Sequence, residues 1–342
     1  MALNEEIRQR LGQESVNALS LSAWCPNDVY QNVLCALFKS MYPHNYCFFG
    51  FDYYYDGLGT TADDRLSQVK NFMDIGFDGL KIIEGKPSIR KQVGRSFLVD
   101  EFKKAFAYLE EHNIPIKWHV ADPEENWDKS KCDQGTIEAG WCYDAPGFLS
   151  KEEHIAEALT MLDRHPGLNV TFAHFLFSAF DIDYAAHILE KYPTVKYDLA
   201  PGAEMFVGFD QKPKEWRDFF IKYQDRIIFG TDNGWGDTES PKTKIKNGLS
   251  LIAFITDFLS TSKQVQTYNK IPVRGLSLPP PVVQKILSQN FKSTLQTKTP
   301  KPLNKALLKS YASTLLQKIN TPNKYPQNVK KRANDAFLKI KD

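Results

Sequence analysis

The chain has 342 residues, of which 42% are hydrophobic and 25% are charged, a balance typical of a folded globular protein. A chain of this length can bury the core of one large domain or of two ordinary ones. The formal net charge of +2 does not favour nucleic acid or an acidic partner, and no apolar run approaches the roughly 18 residues of a membrane span. The segment after Met1 is polar, so a signal peptide is not expected. We therefore predict a cytoplasmic protein that binds neither nucleic acid nor membranes.

The five cysteines are an odd number and lack the paired spacing of a zinc ribbon. We interpret them as reduced thiols of an intracellular protein. Cys132 and Cys142 share one predicted loop, so a bond or a bound metal between these two is an alternative.

Short β-rich runs alternate with helical patterns along most of the chain. The predicted strands lie at 17–22, 46–52, 78–83, 114–120, 169–175, 194–199 and 226–232. The predicted helices lie at 62–75, 100–112, 152–165, 182–191 and 214–224. Such alternation is typical of βαβ crossovers and a parallel sheet. Seven units without a visible reversal favour an α/β barrel over an open sheet, and no glycine-rich phosphate fingerprint follows any strand.

Two predicted loops and the C-terminal segment stand out. The loop 123–150 contains Trp127, Trp141 and Tyr143, and so long a connection after a strand is usually functional. A second loop, 233–246, follows the last predicted strand.

The C-terminal segment is basic. From 303 to 342 it has nine Lys or Arg residues against two acidic ones, and its pattern indicates amphipathic helix interrupted by a turn. We interpret it as a solvated helical extension packed on the barrel, with a nucleic-acid or membrane role as the alternative. The sequence thus predicts a barrel over 1–295 and a basic helical tail over 296–342.

Acids and histidines lie where the predicted strands end, which is where reactive groups collect in a parallel α/β barrel. They are Asp52, Glu84, His119, Asp122, His174, Asp198 and Asp232. Singly, each has an ordinary explanation, because an aspartate there often caps a helix or turn and a strand histidine is usually a hydrogen-bonded core group. His119, His174 and Asp232, however, occupy equivalent places on three strands. Burying such groups together is costly unless a cation or a shared proton network compensates.

These residue types suit a divalent metal. Imidazole nitrogen and carboxylate oxygen are ligands that zinc, iron and manganese accept. Such a metal lowers the pKa of a bound water to about 7, and a nearby histidine can move the proton.

The segments WHVADP, HPGLNVTFAHF, YPTVKYDLAPG and DRIIFGTDNG resemble the amidohydrolase-related family of metal-dependent hydrolases. The later VRGLSLPPPVVQKILSQNFKSTL is similar to that family's closing helix, so the resemblance runs from about 17 to 295. It implies a distorted TIM-like (β/α)8 barrel with a divalent metal, most often zinc, with manganese as the alternative. On matching positions it implies that His119 and Asp232 bind the metal. His174 would be a further ligand or a proton shuttle, and Asp232 would also be the general base.

The sequence departs from that family at its start. The family normally opens with a His-x-His strand that supplies two further metal ligands, and no such motif is present. The chain is therefore expected to be either an N-terminally shortened form or a barrel that lacks its first strand.

The resemblance predicts a hydrolase that attacks a small-molecule substrate with metal-activated water, with Asp232 and His174 as catalytic residues. A non-oxidative decarboxylase on the same site is one alternative, and a catalytically degenerate barrel that binds a ligand or partner is another. The substrate-binding candidates are Glu84, Lys86, Trp127 and Asp198. Lys86 can bind a carboxylate, and Trp127 can stack on a flat substrate. Homo-oligomers are common in the family, but the sequence does not predict the number of subunits.

Overall fold

The computed structural model describes residues 18–20, 30–52, 62–232, 240–322 and 325–340. The chain divides into two compact units. One, the discontinuous unit, is formed by 18–169 together with 295–342. The other covers 170–294 among the described residues and is called the continuous unit.

The first segment of the discontinuous unit alternates strands with helices. Its strands β1 (Ala18–Ser20), β2 (Tyr46–Phe49), β3 (Gly79–Gly85) and β4 (Ile116–Val120) are parallel and pair in chain order. Its helices are α1 (Gln31–Met41), α2 (Ala62–Ile75), α3 (Pro87–Val93), α4 (Asp100–Glu111), α5 (Gln134–Glu138) and α6 (Lys151–Arg164). All four residues of β2 are buried, which explains its unbroken apolar sequence.

The continuous unit repeats this alternation. Its strands β5 (Val170–Phe172), β6 (Lys196–Asp198) and β7 (Ile227–Ile228) are parallel and pair in chain order. Its helices are α7 (Ile182–Lys191), α8 (Ala203–Gln211), α9 (Pro213–Lys222), α10 (Pro241–Ser260), α11 (Pro280–Gln284) and α12 (Asn290–Thr294). A separate antiparallel hairpin is formed by β8 (Gln264–Gln266) and β9 (Pro272–Arg274).

The C-terminal residues form α13 (Lys305–Ile319) and α14 (Gln327–Ile340), which complete the core of the discontinuous unit. Their apolar faces pack with the start of α1 in one cluster. Its members are Tyr30, Val33, Ala312, Leu315, Ile319, Tyr325, Val329, Ala333 and Ala336. Lys305, Lys309 and Lys331 are exposed, so the basic residues cover the outer surface of a packed amphipathic pair. The predicted helical extension is confirmed, and the structure groups it with 18–169.

A buried ion pair links several segments of this unit. Lys39 Nζ on α1 lies 2.6 Å from Asp78 Oδ2, and both side chains are almost fully buried. The same Asp78 carboxylate accepts the backbone N–H of Cys47 and that of Lys301. One carboxylate therefore connects α1, β2 and the chain that leads to α13.

Each of the seven predicted strands and five predicted helices has a counterpart, with ends that differ by at most four residues, and α2 and α7 have the predicted ends. Helices α1, α3, α5, α8 and α10 and the hairpin β8–β9 were not predicted, and α5 lies within the predicted loop 123–150. The predicted loop 233–246 is wrong from Pro241 onward, because Ser240 caps a helix by accepting the N–H of Thr243. The expectation that the barrel lacks its first strand concerns the residues before β1. Residues 1–17 lie outside the described residues, so this expectation stays a prediction. Among the helices described, none has the length and hydropathy needed to cross a membrane.

Candidate functional site

Backbone with positive φ marks the carboxyl ends of three strands. Ala121 (φ 62°) follows β4, residues 174–177 follow β5, and Asp232 (φ 43°) follows β7. For non-glycine residues this left-handed region costs roughly 1–2 kcal/mol each, so the surrounding contacts must hold them there. Backbone strain of this kind concentrates at functional sites. These three strand ends are therefore candidate functional sites.

In the discontinuous unit, Lys86 and Asp122 form a buried ion pair at the ends of β3 and β4. Lys86 Nζ donates to both carboxylate oxygens, at 2.8 Å and 2.6 Å. His119 Nε2 lies 3.1 Å from Asp122 Oδ1. Because an ionised carboxylate only accepts, the imidazole donates through this nitrogen. Gly85 allows the two strand ends to approach, since a Cβ there would collide with the carbonyl oxygen of His119.

The loop after β4 closes over this pair. Tyr143 donates its hydroxyl to Asp122 Oδ2 at 2.5 Å, and the Trp141 ring lies over Lys86, with Nζ 4.3 Å from the ring centroid. Tyr143 is buried, whereas Trp141 is 39% exposed. Asp122 therefore accepts hydrogen bonds from three separate segments of the unit, and its position fixes the loop.

The ion pair sets the charge of this cluster. Burial alone would raise the pKa of Asp122, but the Lys86 ammonium and the hydrogen bond from His119 outweigh it and hold that pKa well below its usual range. Burial, reinforced by the Asp122 charge, raises the pKa of Tyr143 far above that of an ordinary tyrosine. At neutral pH the carboxylate is ionised and the phenol is protonated, as their hydrogen bond requires.

Trp127 of the same loop lies near His154 on α6, with 6.4 Å between the ring centroids. Trp127 Nε1 donates to the carbonyl of Leu149 at 2.9 Å, and its ring lies 5.1 Å from that of Tyr143. His154 is 3% exposed, and its Nε2 has no hydrogen-bond partner in the described part of the chain. Burial lowers its pKa to about 4, so the ring is neutral at physiological pH.

In the continuous unit, a left-handed turn follows β5. His174, Phe175, Leu176 and Phe177 all have φ between 50° and 55°. Asp198 at the end of β6 holds this turn, because its Oδ1 accepts the backbone N–H groups of His174 at 2.9 Å and Ala200 at 3.0 Å.

Packing on the other side of the turn supports the same conformation. Phe175 lies in an aromatic cluster with Tyr197, Phe209, Trp216 and Phe220, at centroid distances of 4.5 to 6.0 Å. A carboxylate on one side and aromatic packing on the other thus offset the cost of the left-handed backbone.

The turn aims the His174 imidazole at Asp232. Nδ1 lies 2.9 Å from the carbonyl oxygen of Ala200, so this nitrogen carries the hydrogen. In the neutral ring the lone pair is then on Nε2, which lies 4.0 Å from Asp232 Oδ2. The His174 side chain is 9% exposed and that of Asp232 is 67% exposed, so solvent and small solutes reach the carboxylate.

The two sites differ in their fitness for a metal ion. A histidine whose Nδ1–H is held by a carbonyl presents Nε2 in the form that metal ligands use, and a nearby carboxylate completes a pair of donors. The Lys86–Asp122 pair does not fit, because an ammonium already occupies both carboxylate oxygens. Across the described residues, no group of three or more His, Cys, Asp or Glu side chains is arranged to hold a metal. The predicted ligand set His119, His174 and Asp232 stays a prediction.

The predicted substrate-binding residues make internal contacts. Lys86 binds Asp122, and Asp198 holds the turn at His174. Glu84 is buried, and its Oε2 accepts the backbone N–H of Ile83 at 2.9 Å. Trp127 anchors the loop through Leu149. Their roles toward a substrate stay predictions.

The sequence analysis placed Asp122 among the strand-end acids but assigned no role in the site to Asp122 or to Tyr143. In the structure, Asp122 is the acceptor on which the cluster in the discontinuous unit converges. Tyr143 lies 21 positions away in a loop, and the sequence contains no periodicity that would pair the two.

No protein-family model matches the sequence, and no curated protein matches it significantly. Similar solved structures do exist. A Staphylococcus aureus protein whose name assigns it to the amidohydrolases is 15% identical, with 87% of this chain and 92% of that chain covered and a TM-score of 0.51. The fold is a TIM-like α/β barrel. The predicted fold class is thereby confirmed.

Two further solved structures, both of decarboxylases, are similar. A 5-carboxyvanillate decarboxylase from Sphingomonas paucimobilis is 13% identical, with 85% of this chain and 82% of that chain covered and a TM-score of 0.48. A dihydroxybenzoic acid decarboxylase from Polaromonas sp. JS666, with bound manganese and the inhibitor 2-nitroresorcinol, is 14% identical, with coverages of 85% and 84% and a TM-score of 0.45.

Proposed function

We propose that the protein is a metal-dependent hydrolase of the amidohydrolase type that acts on a small-molecule substrate. The observation that carries the proposal is the pairing of His174 with Asp232 at the carboxyl ends of β5 and β7. A strained left-handed turn, supported by a buried carboxylate, points an imidazole of fixed tautomer at a solvent-accessible carboxylate.

In this proposal His174 Nε2 and Asp232 hold one divalent metal, zinc or manganese. When bound, such an ion acts as a Lewis acid that polarises a substrate carbonyl and activates water. Two protein donors are fewer than the three that catalytic zinc usually has. We therefore expect weak binding that a chelating substrate strengthens.

The side chains of the pair have separate tasks. Asp232 is exposed enough to meet a water or a substrate, and a carboxylate in that position can accept a proton from the attacking water. Ala200 and Asp198 keep the His174 ring and backbone in place, so the imidazole does not need to reorganise during the reaction.

Metal binding is the direct test. Equilibrium dialysis against Zn²⁺ or Mn²⁺, followed by elemental analysis, should give about one equivalent for the native protein. His174→Ala and Asp232→Ala should each lose that equivalent while keeping the circular dichroism spectrum of the native fold. His165→Ala is the matched control and should leave metal binding unchanged. His165 is not at the carboxyl end of a strand, and its Nδ1 lies 2.9 Å from Glu110 Oε2.

A substrate screen then separates the activities. Hydrolysis of esters, amides or lactones that requires Asp232 would support the proposal. Release of CO₂ from aromatic carboxylates would instead assign a decarboxylase to the same residues. Native protein that binds no metal and turns over none of these compounds would be a binding protein with a degenerate barrel.

A further inference from the structure

Two cysteine sulfurs lie against each other in the loop that covers the Lys86–Asp122 pair. Cys132 Sγ is 2.7 Å from Cys142 Sγ, closer than two sulfur atoms that are merely in van der Waals contact. The next contacts are longer, from Cys132 Sγ to the carbonyl of Asn126 at 3.7 Å and from Cys142 Sγ to Asp144 Oδ1 at 3.9 Å. The two thiols therefore lie close enough that a small approach of the sulfur atoms would allow a covalent bond.

The segment between these cysteines has no core of its own. It consists of α5 and its flanks, and none of the five residues of α5 is buried. Its internal order comes from Asp133, which caps the helix through Thr136, and from the backbone bond between Trp141 and Thr136. Its position on the protein thus depends on how its two ends are fixed.

Cys142 is also flanked by the two residues that touch the ion pair. Trp141 precedes it and lies over the Lys86 ammonium, and Tyr143 follows it and donates to Asp122. A cross-link at Cys142 therefore restrains both contacts at once.

We propose that Cys132 and Cys142 form a reversible disulfide that fastens the loop over the Lys86–Asp122 pair. The oxidant is a low-molecular-weight disulfide such as oxidised glutathione. One cysteine thiolate attacks it and releases one thiol, and the second cysteine thiolate then displaces the other. The protein loses two hydrogens, one new S–S bond forms, and two molecules of reduced thiol leave. Both thiols are free in this structure, and the proposal follows the alternative that the sequence left open for this pair, a bond between the two cysteines.

The pH should control the rate. Burial, followed by the neighbouring Cys142, raises the pKa of Cys132 to about 12. Since only the thiolate attacks, oxidation should accelerate as the pH rises from neutral toward alkaline values.

The test uses the native protein and thiol counting. The chain is incubated with oxidised or reduced glutathione, treated with iodoacetamide under denaturing conditions, digested with a glutamate-specific protease that cuts after Glu138 between the two cysteines, and analysed by peptide mass spectrometry. We expect a peptide pair joined through Cys132 and Cys142, lighter by two hydrogens, which separates on reduction. Alkylation of both cysteines after oxidation, in protein that is still folded, would overturn the proposal.

Limited proteolysis supplies a second measurement. A glutamate-specific protease can cut after the exposed Glu138 inside the loop. In the oxidised form we expect cleavage there to be roughly tenfold slower, and the two nicked fragments to stay joined until a reductant is added. Cys132→Ser and Cys142→Ser should each abolish the joined fragments, whereas Cys35→Ser, at a buried cysteine outside the loop, should not. Equal cleavage rates and immediate separation in the oxidised native protein would contradict the cross-link.

Discussion

The hydroxyl of Tyr311 donates to the carboxylate of Asp52 at 2.7 Å, although 259 positions separate them in the chain. Asp52 follows β2 and is 1% exposed, and it also accepts a hydrogen bond from Asn32. A residue of the basic C-terminal segment thus supplies a hydrogen bond to a buried strand-end acid.

Removing that hydroxyl should destabilise the protein. Tyr311→Phe leaves a buried carboxylate short of one donor, so we expect the free energy of unfolding to fall by about 1–3 kcal/mol. Urea denaturation measures this difference. Tyr223→Phe is the control, because Tyr223 bonds to Glu190 on the surface and its loss should cost less than about 0.5 kcal/mol. If both variants lose the same free energy of unfolding, the Tyr311 hydroxyl has no special role in stability.

Breaking the Lys39–Asp78 ion pair should lower the free energy of unfolding by more than removing the Tyr311 hydroxyl does. Lys39→Met leaves the Asp78 carboxylate buried without its cation, and breaking a buried pair in this way typically costs about 3–5 kcal/mol. Thermal and urea denaturation both measure this loss of stability. The exposed pair of Lys214 and Asp218 gives the comparison, since Lys214→Met should change stability by less than about 1 kcal/mol.

The Lys86–Asp122 pair should contribute to the free energy of unfolding by an amount that decreases in acid. The pKa of Asp122 is lowered in the folded state, so its stabilising effect is present above the unfolded-state value of about 3.9 and is lost as the pH falls through the folded-state pKa. Asp122→Asn should therefore be less stable than the native protein at pH 7, and the gap should narrow in strong acid. A gap that stays constant from pH 7 to pH 2 would argue against an ionised Asp122.

His154 should produce a second pH effect in a different window. Its folded-state pKa is lowered to about 4 by burial, whereas the unfolded chain takes up a proton near pH 6.5. The free energy of unfolding should therefore fall, by on the order of 2–3 kcal/mol, as the pH drops from about 6.5 to about 4. His154→Leu should flatten this part of the profile. His187→Leu, at an exposed position, should leave the slope of the native protein in place.

Asp198 should be required for the left-handed turn. Asp198→Ala removes the acceptor of two buried backbone N–H groups, so we expect a loss of at least about 2 kcal/mol in stability. Weaker zinc binding should accompany it, because His174 would no longer be held. Asp181→Ala removes a surface helix cap and should cost about 1 kcal/mol without changing zinc affinity. If Asp198→Ala binds zinc as tightly as the native protein, the turn does not position the metal site.

The alternation of strands and helices could be predicted because each element repeats a local apolar pattern. Helix α7 was predicted with its observed ends, since Asp181 caps its start and its apolar residues follow a clear helical period. Helix α1 was missed, although Val33 and Ala36 follow the same rule, because no polar cap marks its start.

The site was predicted only in part, for a physical reason. The strand-end positions of His119, His174 and Asp232 follow from local pattern. The hydrogen bonds that define their chemistry involve partners distant in sequence, such as Ala200 for His174 and Tyr143 for Asp122. The left-handed turn at 174–177 contains no glycine, so the usual sequence signal for positive φ is absent.

The core of the discontinuous unit draws on both ends of the described chain, and this affects how the protein is made. Tyr30 and Val33 pack in one cluster with Leu315 and Val329, so the cluster can form only after those later residues have been made. During synthesis on the ribosome, residues 170–294 are translated before those partners appear. The continuous unit can therefore fold before those residues are made, whereas the discontinuous unit reaches its final packing only after α13 and α14 have been translated.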